Sequence, residues 1–168
     1  MTCLKILAAV VTMTFFATGS FAQGTEVPFG GLKHDPKLPV EVSADQLKVD
    51  QTGGSATFIG NVIIGQGKMR LSAAKVFVEY GKENGKPTNK VSHVVASGGV
   101  TLVNGPEAAE SKDADYDLEK GIIVMTGDVL LTQGPNALSS EKMTVYLESG
   151  TANMEGRVRS IFNPESSE

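Results

Sequence analysis

The feature that most constrains this chain is a short unit, glycine, any residue, valine, that recurs along it: Gly60-Asn61-Val62, Gly98-Gly99-Val100, Gly127-Asp128-Val129 and Gly156-Arg157-Val158. The glycines stand 38, 29 and 29 residues apart, and the first interval carries a polar insert of nine residues, 81–89, whose removal leaves 29. Four copies at one period indicate a repeat architecture, in which no unit buries its apolar face alone and the units stack or fold over one another. A unit of that size holds about four strands of five residues, each roughly 16 Å long. Glycine at the hinge of each unit lets a strand bend where a Cβ would clash, so that the strand crosses from one sheet to the other.

Before the repeats, residues 1–22 read as a cleaved export signal: Lys5 supplies the positive end, Ile6 to Phe16 the apolar stretch, and Ser20-Phe21-Ala22 the small-x-small cleavage site. The apolar run is too short for a comfortable membrane span of roughly 20 residues. The only cysteine, Cys3, leaves with this segment, so the exported domain is expected to hold together by its core alone. Residues 23–38, punctuated by Pro28 and Pro36, read as a leader arm, 39–162 as one domain and 163–168 as a short tail. Without the signal, 14 basic and 19 acidic residues remain, a net charge of −5 that argues against a nucleic-acid partner.

From Val40 onward the pattern is strand after strand. Val40 and Val42 alternate with Glu41 and Ser43, and Leu47 and Val49 with Lys48 and Asp50. Further runs are expected at 76–80, 91–96, 100–103, 116–118, 122–126, 129–132, 143–147 and 158–162, with turn signals such as Lys120-Gly121 and Gly134-Pro135-Asn136 between them. No apolar stripe at helical spacing is present. The fold class is therefore all-β, with two antiparallel layers and Phe58, Val62, Ile64, Val78, Tyr80, Val100, Leu102, Tyr116, Leu118, Val124 and Leu131 pointing between them. Val40–Ser43 and the run around Val158 and Ile161 are the candidate terminal edges, where another strand can add.

Catalytic chemistry is sparse. His34 lies in the leader and His93 in a strand, neither at a triad or ligand spacing, and the mature domain has no thiol. Asp113, Asp115, Asp117 and Glu119 alternate in the manner of a calcium loop, but its sixth and twelfth positions hold Leu118 and Val124 instead of glycine and glutamate. They read as the solvent face of a strand. No catalytic residue, metal site or cofactor is nominated.

Three stretches, Pro39 to Leu47, Phe58 to Gly67 and Leu71 to Val76, resemble the OstA-like domain of the periplasmic lipopolysaccharide-transport (LptA) family, as do Ala114 to Leu118, Met125 to Val129 and Ser139 to Met143. The resemblance covers about 39–162. It implies a twisted β-jellyroll of antiparallel strands without enzymatic activity, resident in the periplasm. It also implies that such proteins stack head to tail between an LptC-like inner-membrane protein and an LptD-like outer-membrane protein, with the acyl chains of lipopolysaccharide in an apolar groove. Carried over by position, the lipid-facing candidates are Val40, Val42, Phe58, Val62, Ile64, Val100, Leu102, Tyr116 and Leu118, and the oligomer edge is Val158 and Ile161. The alternatives are an LptC-like or other structural envelope β-protein, or a β-solenoid enzyme acting on glycans.

Overall fold

The computed structural model describes residues 25–28 and 38–162; the export signal, most of the leader and the tail lie outside them. Eleven strands follow one another, with no helix among the described residues: β1 (Thr25–Pro28), β2 (Val40–Ser43), β3 (Gln46–Asp50), β4 (Ser55–Gln66), β5 (Met69–Glu83), β6 (Lys86–Asn104), β7 (Glu107–Asp117), β8 (Ile122–Gln133), β9 (Asn136–Tyr146), β10 (Thr151–Glu155) and β11 (Arg159–Ile161). All pairings are antiparallel, in the spatial order β1-β10-β9-β8-β7-β6-β5-β4-β2, with β3 also on β4 and β11 also on β9. The ladder runs unbroken from one end to the other, so the two layers are halves of one sheet.

The crease between the halves is made by the repeated glycines. Register shifts fall between Ile59 and Val62, between Ser97 and Val100, and between Thr126 and Val129. At each hinge the glycine has φ of +79 to +83°, and the next residue is also left-handed: Asn61 at 45°, Gly99 at 85°, Asp128 at 50° and Arg157 at 43°. Two consecutive positive φ values turn the strand sharply and tolerate few side chains at the first position. The neighbouring strand closes over that spot: a Cβ on Gly98 would sit 2.7 Å from the Cβ of Ala74, and one on Gly127 2.8 Å from the Lys112 side chain. The residue after the glycine pairs across the crease, Asn61 to Asp45 at 2.9 Å, Asp128 to Lys112 at 2.7 Å and Arg157 to Glu141. At the Gly98 hinge only small residues, Ala74 and Gly99, occupy that place.

On both sides of the crease the apolar positions face inward. Ala56, Val76, Val78, Ala96, Met125, Met143, Val145 and Met154 come from one half and Val62, Val100, Leu102, Val129, Leu131 and Leu138 from the other, all in one cluster at 8 % exposure or less. A single sheet leaves both faces bare, so exposures near zero mean that the halves cover each other. Each fully buried Val, Leu or Met contributes roughly 1.5–3 kcal/mol.

Two sequence expectations need correction. Val124 does not face inward: Tyr116 pairs with Ile123, which is 4 % exposed, and this puts Val124 on the outer surface. The polar insert 81–89 lengthens the β5–β6 hairpin around Asn84 and Gly85, both left-handed as a type I′ turn requires. Strand structure also covers 69–75, 107–115, 136–142 and 151–155, where no strand was expected.

Candidate functional site

The inner face of the creased sheet is an apolar trough whose covering changes along its length. In the middle and toward β10, Val76, Leu102, Met125, Leu131, Met143 and Met154 are at most 1 % exposed. At the β2–β3 end the same face lies open. Val42 pairs with Ile64, and Leu47 and Val49 pair with Phe58 and Ala56, which sets all three on the interior side. Yet Val40 is 57 %, Val42 39 %, Leu47 56 % and Val49 60 % exposed. Nothing beyond β2 and β3 pairs with them among the described residues.

The two margins away from the crease differ in chemistry. Along one, successive partners on the inner face are Gln66, Met69, Asn104, Glu107, Gln133 and Asn136. Gln133 donates to Glu107 at 3.1 Å, and Gln66 donates to the Leu38 carbonyl at 3.0 Å. Along the other margin Tyr80, Val91 and Leu147 pack against the core. The trough therefore has one lip of amides and one of hydrocarbon. Burial raises the Tyr116 hydroxyl above its ordinary value, so the phenol stays neutral beside the apolar interior.

Of the residues nominated from sequence, Val62, Val100 and Leu102 lie in the covered core, Phe58, Ile64, Tyr116 and Leu118 are half-buried, and Val40 and Val42 are open. Val158 and Ile161 are 36 % and 65 % exposed at the far end, Ile161 in β11, whose only described neighbour is β9. Sequence reasoning passed over Leu47, Val49 and the amide lip. The alternation of Leu47 and Val49 with Lys48 and Asp50 carries the first two, whereas the lip needs the register. Asp113, Asp115 and Asp117 stand on the outer face of β7. There Asp115 meets His93 at 2.7 Å, while Asp117 accepts the N–H groups of Glu119 and Lys120 and is held below the ordinary carboxylate value by the Lys120 ammonium.

Residues 41–151 match the family model described as LptA/(LptD N-terminal domain) LPS transport protein. The chain belongs to this family. Within it, the chain is 31% identical over 101 residues to the lipopolysaccharide export system protein LptA of Escherichia coli K12, covering 59% of this chain and 55% of that one. A Rhizobium meliloti protein is 27% identical over 115 residues, 67% of this chain and 62% of its own. The chain thus spans little more than half the length of these curated relatives. Among solved structures, LptH of Pseudomonas aeruginosa, the LptA-homologous periplasmic component of the lipopolysaccharide transport device, superposes with a TM-score of 0.66 at 19% identity, covering 76% of this chain and 96% of that one. The likeness shows that the unclosed, creased sheet is the fold of the LptA-type transport domain.

Proposed function

We propose that this chain is a non-enzymatic periplasmic carrier that shelters the acyl chains of lipopolysaccharide in its trough. It hands the lipid from an LptC-like inner-membrane protein toward an LptD-like outer-membrane protein as copies stack head to tail. Exposing about twelve methylenes to water costs on the order of 10 kcal/mol, so lipid crosses an aqueous gap quickly only under cover. The observation that carries the reading is the uncovered inner face at β2–β3, where Val40, Val42, Leu47 and Val49 continue the core's apolar rows into open space. Deeper in, Val62, Val100 and Leu102 rest on the opposite layer. An acyl chain that parts the layers exchanges one apolar contact for another, and no backbone pairing joins the two margins among the described strands. The amide lip offers hydrogen bonds to the sugar head group while the hydrocarbon lip follows the tails.

The test is a photo-activated cross-linker placed in living cells at Leu47, at Tyr116 and, as a surface control, at Lys82. Capture of lipopolysaccharide at both inward positions and not at Lys82 is expected. No capture at either inward position, or equal capture at Lys82, overturns the reading, and capture at Leu47 alone restricts the lipid to the open end.

A further inference from the structure

We propose that the leader strand β1 is a displaceable cap, which mimics β3 and holds the β10 edge that a second copy's β3 takes when copies stack. The proposal rests on the head-to-tail reading above. In the ladder, β1 is antiparallel to β10 with Thr25 opposite Met154, Glu26 opposite Asn153, Val27 opposite Ala152 and Pro28 opposite Thr151. Strand directions alternate along the sheet, so β3 of a copy stacked by simple translation also arrives antiparallel to β10. With Leu47 opposite Met154, its five residues cover the five of β10 and set Val49 opposite Ala152. Leu47 and Val49, more than half exposed in the single chain, then meet the fully buried Met154 and Ala152, and both inner apolar rows continue across the joint. Thr25 and Val27 stand in register where Leu47 and Val49 would stand.

Edge chemistry supports a cap rather than a permanent member of the sheet. A free β10 is a receptive edge, whereas β1 ends in Pro28, which has no N–H to offer the next strand. The tether reaches: twelve Cα steps from Pro28 to Val40 extend at most about 43 Å, against about 38 Å for the eight strand spacings from β1 to β2. A tethered strand returns to its own edge at an effective concentration that dilution of the protein does not change. It offers four residues, while an incoming copy offers five on β3 and a further four on β2, which faces β11 in the other layer. The cap therefore prevails in dilute protein and yields when copies or a partner with the same edge accumulate.

Neighbouring residues of a strand send their N–H groups to opposite sides, so the double variant Glu26→Pro/Val27→Pro in the exported chain removes one donor toward β10 wherever the ladder begins. Two measurements follow. Amide exchange at residues 151–155 in dilute protein is expected to be slow in the parent and at least about tenfold faster in the variant; equal exchange overturns the cap. Sedimentation velocity is expected to show half-association of the variant at a concentration lower by about tenfold or more. Leu47→Asp, which puts a carboxylate opposite Met154, is the second arm and is expected to prevent association. If parent and double variant associate alike and Leu47→Asp does not, stacking stands and the cap falls; if all three stay monomeric throughout, stacking falls and the cap with it.

Discussion

Gly98→Ala is expected to lower the free energy of unfolding by about 2–5 kcal/mol, whereas Gly85→Ala costs only about 1–2 kcal/mol, both read from urea denaturation. The two glycines have similar backbones, φ +83° and +76°, so the conformational penalty for an L-residue is shared and amounts to roughly 1–2 kcal/mol. Their surroundings differ. At Gly85 a new Cβ meets nothing within 4 Å, but at Gly98 it lands 2.7 Å from the Cβ of Ala74. A Cβ cannot rotate away, so β5 and β6 must separate at the crease, which adds overpacking of about 1–3 kcal/mol. Since Val76, Ala96 and Val100 flank this step at 0–1 % exposure, separation also loosens the core behind it. Equal losses for the two variants would mean that the crease is slack, and the account of why glycine recurs there would fail.

How far the fold was legible in the sequence follows from the same chemistry. Phe58, Val62, Val100 and Leu102 announce the inner face because each is a large apolar residue beside a glycine hinge, and their alternation survives the crease. Residues 107–115 of β7 and the whole of β10 escape the pattern because their interior positions are filled by Ala109, Ser111, Ala114, Ala152 and Met154, residues with little strand character of their own. They extend because the flanking strands supply the partners. Val124 was placed on the wrong face because Ile122, Ile123 and Val124 are apolar on both parities, and only the pairing of Ile123 with Tyr116 decides between them. The least legible property is coverage. Leu47 and Leu102 both stand in runs of alternating apolar and polar residues, though only Leu102 is read as inward from sequence, and what separates their exposure is position along the ladder, a long-range fact that no local pattern contains.

That difference yields the second large effect. Leu102→Ala is expected to cost about 2–5 kcal/mol of stability, because the side chain is 1 % exposed and its removal leaves a cavity between layers that meet from both sides. Leu47→Ala is expected to change stability by about 0.5 kcal/mol or less, since the side chain is already 56 % exposed and no second layer rests on it. Lipid capture should order them the other way. With the stability of Leu102→Ala restored by lower temperature, its trough keeps an apolar wall and still takes up lipopolysaccharide, while Leu47→Asp, folded as well as the parent, presents a carboxylate where an acyl chain has to enter and loses most of the capture. Burying that charge without a partner costs several kcal/mol, comparable to sheltering several methylenes, so one substitution at the mouth offsets much of what the interior offers. If Leu47→Asp captured lipid as the parent does, entry through the β2–β3 end would be refuted even with the fold intact, and the lipid would have to enter by parting the two lips along their length.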